Sequence, residues 1–129
     1  MMLLDTHAWL WWIQGAAELP DKVRAAIENS IEPVALASVS CLEVAWLVKK
    51  GRITISRPLD EWFELAIDQA GLILLDLTPQ IAARSAFLPH IHRDPVDRVI
   101  VATAIEYAAQ LFSKDERISE YRDAKVFWG

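Results

Sequence analysis

Met1-Met2-Leu3-Leu4-Asp5-Thr6-His7 opens the chain, and the reading of this stretch decides the fold. A short apolar run ends in a carboxylate and a hydroxyl, then passes into helix-compatible sequence. The run reads as a buried central strand that delivers Asp5 to the carboxyl edge of a parallel sheet. Ligands of open α/β sheets bind at that edge, in the crevice where strand order reverses. The structural alternative is that Asp5 only N-caps the next helix.

Working outward, strand-like and helix-like segments alternate to the end of the chain. Helices are expected over Ala8 to Gln14, Asp21 to Asn29, Ser40 to Lys50, Leu59 to Ala70, Pro79 to about Leu88, and Pro95 to about Ala109. Strands are expected at Val34 to Ala37, at Leu72 to Leu75 as a third buried strand, at Leu111 to Ser113, and at the edge over Val126-Phe127. Gly15, Gly51 and Gly71 stand where helices stop, and Thr78-Pro79 and Asp94-Pro95 have N-cap and N1 chemistry. Ser40 and Glu43 have the spacing of a capping box. This alternation predicts an α/β, three-layer domain around a parallel sheet. Right-handed crossovers place all strand ends of one sense on one edge, so acids just after strands or at helix starts converge there.

The composition bounds what such an edge can do. The 129 residues are 53% hydrophobic, enough to fill the core of one domain over 1–129. Cys41 is the only cysteine, which excludes an internal disulfide and a cysteine-based zinc site and fits a reducing cytoplasm. No uncharged apolar run is long enough to cross a bilayer, and no basic leader precedes Leu3. The expected location is therefore cytoplasmic, without a membrane. The net charge of −5 excludes nucleic-acid binding by a bulk basic surface. It leaves room for a carboxylate cluster that holds cations. The six tryptophans, three of them in Trp9, Trp11 and Trp12, fit either core filling or a protein interface.

The acids that could meet at the edge are Asp5, Glu43, Asp97 and Asp115, with Asp94 as a further candidate. Taken singly, each has a structural reading: Glu43 as the capping-box partner, Asp94 as N-cap, Asp97 as a favourable charge on a helix dipole, Asp115 as the cap of a turn. Taken together, they point to a metal. Asp94 and Asp97 share a helix face. The Val99–Ile105 stretch behind them is apolar nearly all round, so that helix is buried. Two carboxylates ~4 Å apart repel by about 4 kcal/mol at an effective dielectric near 20, and a divalent cation removes the conflict. All-oxygen ligation selects Mg²⁺ or Mn²⁺ over zinc. No Ser/His/Asp pattern and no activated Cys41 is apparent, so the residues offer no nucleophile–base pair and any nucleophile would have to come from a bound metal. Arg93 and Arg98, beside Asp94 and Asp97, are the candidate phosphate contacts. His7 is expected to pack behind Asp5, and His90 and His92 to be loop residues.

These residues also carry a family resemblance. Leu4-Asp5-Thr6-His7-Ala8, Ser38 with Ser40-x-x-Glu43, Asp94-Pro95-Val96-Asp97-Arg98-x-Ile100-x-Ala102-Thr103-Ala104 and Ser113-x-Asp115 resemble the PIN-domain toxins of bacterial toxin–antitoxin pairs, the VapC type. Gly51-Arg52-Ile53, Trp62 and Leu77-Thr78-Pro79 also look like that family, and the resemblance covers essentially the whole chain. It implies a five-stranded parallel sheet between helices, Mg²⁺-dependent endoribonuclease activity on RNA, a homodimer and a cognate antitoxin, with a toxin–antitoxin hetero-oligomer in prospect. Asp5, Glu43, Asp97 and Asp115 match the family's four acids, and Asp94 a subgroup pattern. Thr6, Ser38 and Ser113 match its small polar positions. An antitoxin segment is implied to dock along Trp9–Ile13 with Trp46 and Leu47. Ile118 departs from the pattern, where an aromatic is frequent. Two other readings stand beside it: a catalytically silent PIN-type module that binds RNA or protein, and a Mg²⁺-binding phospho-receiver. A receiver needs paired acids near the first strand and an Asp ending a middle strand. Asp5 is alone in the first, and the second ends without one.

Overall fold

The computed structural model describes all 129 residues. In chain order the elements are β1 (Met2–Leu4), α1 (Thr6–Gln14), α2 (Asp21–Glu28), β2 (Val34–Ala37), α3 (Val39–Lys49), α4 (Leu59–Phe63), β3 (Ile73–Leu75), α5 (Pro79–Phe87), α6 (Pro95–Glu106), β4 (Gln110–Phe112), α7 (Glu116–Ser119) and β5 (Lys125–Phe127). All five strands pair in parallel, in the order β3-β2-β1-β4-β5. The α/β fold with a five-stranded parallel sheet is the one expected from the sequence.

The opening strand is the centre of this sheet. From β1 the chain steps outward through β2 to β3, then returns to the other side of β1 for β4 and β5. Strand order therefore reverses between β1 and β4, and the crevice lies at their carboxyl ends. Residues alternate faces along each strand. Leu4, Leu36 and Phe112 point to one side, where they pack with Trp9, Val23, Val44 and Trp62. Leu3, Ala35 and Leu111 point to the other, against Ile100, Val101, Ala104, Ile118 and Tyr121. Helices thus cover both faces, which is what makes nearly continuous apolar strands soluble.

Local chemistry sets the helix ends. Gly15 closes α1 at φ 64°, with its N–H donating to the carbonyls of Trp11 and Trp12, a conformation that costs a residue with a Cβ. Helix α4 continues into a π-helical turn over Glu64–Gln69. There the Ala66 carbonyl accepts a 3.0 Å hydrogen bond from the buried Trp9 indole, so a side chain enters the ladder where it is widened. No helix is long and apolar enough to cross a membrane.

Two expectations are corrected. The third strand is not buried on both faces: Ile73 and Leu74 are 44% and 42% exposed, because β3 lies at the sheet edge. The capping box is absent. Helix α3 starts at Val39 with Ser38 at its N-cap and no side-chain cap bond. Glu43 is therefore past the first turn, and Ser40 Oγ instead accepts from the Thr6 hydroxyl at 2.9 Å.

Candidate metal centre

The crevice between β1 and β4 gathers acids from four elements. Asp5 follows β1, Asp115 follows β4, Asp97 lies in the first turn of α6, and Glu43 lies in α3. A helix that feeds the next parallel strand begins at the carboxyl edge of the sheet, so the start of α6 faces the same crevice as the strand ends. Asp5, Asp97 and Asp115 line one pocket of about 310 Å³ together with His7, Trp11 and Lys114. Glu43 and Asp94 line the adjoining groove, and Glu43 is close enough to act electrostatically on both Asp5 and Asp97. Asp76, at the end of β3, stands two strands from β1, which separates it from this group.

The four acids are held in unequal states. Asp5 is buried, and its carboxylate caps α1 by accepting from the Ala8 N–H at 2.8 Å. Burial raises its pKa, against the Ser113 hydroxyl and the cap, so both the strand-end and the N-cap readings of Asp5 describe it. Glu43 Oε1 is buried and has no hydrogen-bond partner. An orphaned anionic oxygen of this kind is costly unless something positive meets it. Asp97 is pushed up from 3.8 to about 7, first by burial and next by Asp94, with Glu43 and Asp5 adding to it and His92 opposing. Asp115 moves the other way. Burial works against ionisation there too, but hydrogen bonds from Arg117 and His92 outweigh it.

His92 is the residue that sequence reasoning missed. It lies in the loop expected from the sequence, but it is buried there, 3% exposed. Its backbone N–H donates to the Tyr121 hydroxyl at 3.0 Å, which fixes the loop. Its Nδ1 accepts from the Asp94 N–H at 3.1 Å, so the ring proton sits on Nε2. That nitrogen lies 2.9 Å from Asp115 Oδ2 and 3.1 Å from Asp97 Oδ2. The ring thus hydrogen-bonds Asp115 and stands within ion-pair distance of Asp97. Ligand atoms of His92, Asp97 and Asp115 all lie within 4.8 Å of one another. The one signal in the sequence was the place of His92 two residues before the N-cap Asp94.

Other expected residues divide. Asp94 caps α6, accepting from the Val96 N–H at 2.9 Å. Ser113 Oγ accepts from the Asp115 N–H at 3.1 Å and favours the ionised form of Asp5, so it touches both sides of the crevice. Thr6 is taken up by Ser40, and Ser38 occupies the N-cap of α3 without bonding it. His7 is exposed rather than packed behind Asp5, with its ring 5.6 Å from that of Trp11. Arg98 is the clear correction. Its guanidinium is buried and donates to five carbonyls, those of Ser85, Ala86, Leu88, Pro89 and His92, at 2.9 to 3.3 Å. All five N–H groups are occupied at the end of α5, so none remains for a phosphate. Arg93 is exposed but lines the cavity next to Ser85 and Arg98, not the acidic pocket.

The donor set fits a divalent cation. Asp5, Asp97 and Asp115 line one pocket, Glu43 acts on two of them and carries an orphaned oxygen, and two of the acids have pKa values raised by burial and neighbouring charge, which is the condition a hard cation relieves.

Similarity to known proteins agrees with this geometry. The chain is 35% identical over 122 residues to Ribonuclease VapC22 of Mycobacterium tuberculosis, covering 94% of this chain and 92% of that protein. Among solved structures it superposes on VapBC2 from Rickettsia felis bound to a promoter DNA fragment with a TM-score of 0.71 at 16% identity, over 99% of this chain and 98% of that one. A toxin–antitoxin complex from Klebsiella pneumoniae gives 0.70 at 19% identity, over 98% and 96%. FitAcB from Neisseria gonorrhoeae gives 0.68 at 22%, over 98% and 96%. The PIN-domain family profile matches residues 2–124, and with a central first strand, a crevice of acids and a ribonuclease relative at this identity, the chain belongs to the PIN-domain family.

Proposed function

We propose that this chain is a Mg²⁺- or Mn²⁺-dependent endoribonuclease that acts in the cytoplasm as the toxin of a toxin–antitoxin pair. The observation that carries this reading is the buried, partnerless Oε1 of Glu43 beside two carboxyls with raised pKa values. A divalent cation would meet that oxygen and relieve the repulsion among the carboxylates. The 35% identity to a VapC ribonuclease supports RNA as the substrate. Likeness to toxin–antitoxin complexes supports an antitoxin partner.

The roles follow from the states of the acids. Asp5 and Asp97 would hold the cation, because they are the acids in which burial outweighs the groups that favour ionisation. Glu43 and Asp115 hold a second cation, or position the attacking water and accept its proton. His92 hydrogen-bonds Asp115 through Nε2, stands 3.1 Å from Asp97, and keeps their oxygens convergent. Ser113 orients Asp5, and Asp94 caps the helix that carries Asp97. When bound, the cation supplies Lewis-acid activation of water and charge compensation at the phosphate.

The groove beside the site, lined by Leu42, Trp46 and Leu47 with Lys50 and Arg52, suits an antitoxin segment. A homodimer and a toxin–antitoxin hetero-oligomer complete the proposed assembly. The test is direct. Purified chain with Mg²⁺ or Mn²⁺ should cut RNA, and calorimetric titration should show metal binding that Asp5→Asn abolishes. Equal binding by both proteins, or no cleavage with either metal, ends the proposal and leaves a silent PIN module.

A further inference from the structure

An acidic protein that cuts RNA must meet phosphate with some local cation. Arg98 is fully engaged inside the fold, and Arg117 is paired with Asp115 at 3.3 Å. Lys114 is different. It is exposed, takes part in none of the chain's five ion pairs, and is the one lysine or arginine among the residues lining the acidic pocket. It follows Ser113 and precedes Asp115, so the turn that delivers the fourth acid also delivers this ammonium group.

Lys114 Nζ stands 5.8 Å from the ring centroid of Trp11. Trp11 is half-buried and lines the same pocket as Asp5, Asp97 and Asp115. It lies one helical turn after the exposed His7, and Trp128 supports it with ring centroids 6.0 Å apart. An indole held at the mouth of a polar cleft, with a free ammonium beside it, combines the two parts from which single-strand sites are built. One is a surface on which a base can stack, and the other is a cation for the backbone.

We propose that Trp11 and Lys114 form a nucleotide subsite of the cleft: Lys114 contacts a phosphate next to the scissile one, and the adjoining base stacks on Trp11. The proposal rests on the nuclease reading and adds the element that admits a polyanion to a carboxylate-lined pocket. A base on Trp11 displaces Lys114 from the indole toward the backbone it contacts.

The test is binding of a fluorescent single-stranded RNA of mixed sequence, about ten nucleotides long, to the full chain in EDTA, where metal-dependent cleavage is silent. Lys114→Gln should weaken binding several-fold and reduce the slope of log affinity against log salt by about 0.7, the value for one phosphate contact on a single strand. Lys114→Arg should restore both. Trp11→Ala should weaken binding by about tenfold and Trp11→Phe by much less, since one stacked base contributes on that order. A melting curve for each variant establishes that it is folded, and Trp11→Phe carries the test if Trp11→Ala is not: it should also lose the part of the fluorescence quench that RNA produces in the wild type. Folded Lys114→Gln that binds RNA with wild-type affinity and salt slope overturns the subsite. If the wild type cuts the same RNA with Mg²⁺ in that case, the nuclease reading survives it. A wild type that neither binds nor cuts removes both. Loss of antitoxin binding with RNA binding unchanged would assign the rim to protein and equally overturn the proposal.

Discussion

Asp97 and Arg98 are neighbours on α6, and the two regions they enter treat a buried charge in opposite ways. Around Arg98 every N–H has an acceptor, and the guanidinium closes the end of α5 and the loop after it. Around Asp97 the charge is left unresolved. Its neighbours include Asp94, Glu43 and Asp5, only His92 opposes them from 3.1 Å away, and its pKa rises to about 7. A fully satisfied buried ion belongs to the architecture. One held among like charges is destabilising by itself, and its retention points to a ligand. The difference also explains why a basic residue next in sequence to Asp97 need not face the crevice.

The largest effect should separate the two regions by activity. Asp97→Asn and Glu43→Gln are near-isosteric and remove one negative charge each. RNA cleavage should fall at least about a hundredfold, the lower end for loss of a group that handles a proton. Melting temperature without metal should hold or rise, because each change relieves repulsion. Loss of activity together with loss of fold would break the contrast. Arg98→Met should do the reverse, costing about 3–5 kcal/mol of stability in urea titration because the carbonyls that met the guanidinium are left inside without donors. Arg98→Lys keeps the charge but not the five-donor fork, and should recover only part of that stability. An Arg98→Met chain with unchanged stability would show that the clamp is dispensable.

Protons should sharpen the same comparison, with a smaller effect. The folded-state pKa of Asp97, about 7, lies above its ordinary 3.8, so the folded chain holds this proton more tightly than the unfolded chain. The stabilisation is complete below the lower value and is lost as pH rises through the upper one. Wild type without metal should therefore lose stability relative to Asp97→Asn across that window. Mg²⁺ should cancel the loss above pH 7, since it binds the ionised carboxylate. Melting temperatures of both proteins across the window, with and without Mg²⁺, check this. Parallel curves for the two proteins would place the charge of Asp97 in ordinary solvent.

The acids were legible because chain order and strand ends are enough to bring them to one edge. Asp5 and Asp115 sit just past β1 and β4, and Asp97 opens a helix whose apolar body had to be buried. Direction was not legible. Successive helical residues turn about 100°, so Asp97 at the crevice puts Arg98 against α5, and closeness in sequence to the acids became distance from them. His92 was hidden for a related reason. A loop has no period to read, and its burial depends on Tyr121, which is distant in sequence. The capping box at Ser40 failed because α3 begins earlier than the motif implies, and that shift is what leaves Glu43 free of a structural bond. The run Leu72–Leu75 is too short for its pattern to distinguish an edge strand from a central one.

Thr6 gives the smallest and finest test. It follows Asp5 directly, and the family pattern places a small polar residue there, yet its hydroxyl is buried and donates to Ser40 Oγ. That bond ties the first turn of α1, which Asp5 caps, to the first turn of α3, the helix that carries Glu43 further along. It belongs with the Arg98 side of the comparison, as a completed polar contact. Thr6→Val keeps the shape and removes the donor, so it should cost about 1 kcal/mol of stability and leave the rate of RNA cleavage nearly unchanged at saturating metal. Ser40→Ala should cost a similar amount, and the double variant little more than either single one, because the two changes remove the same bond. A Thr6→Val chain with full stability and no activity would move this hydroxyl into the chemistry of the crevice and shift the boundary between the two regions by one residue.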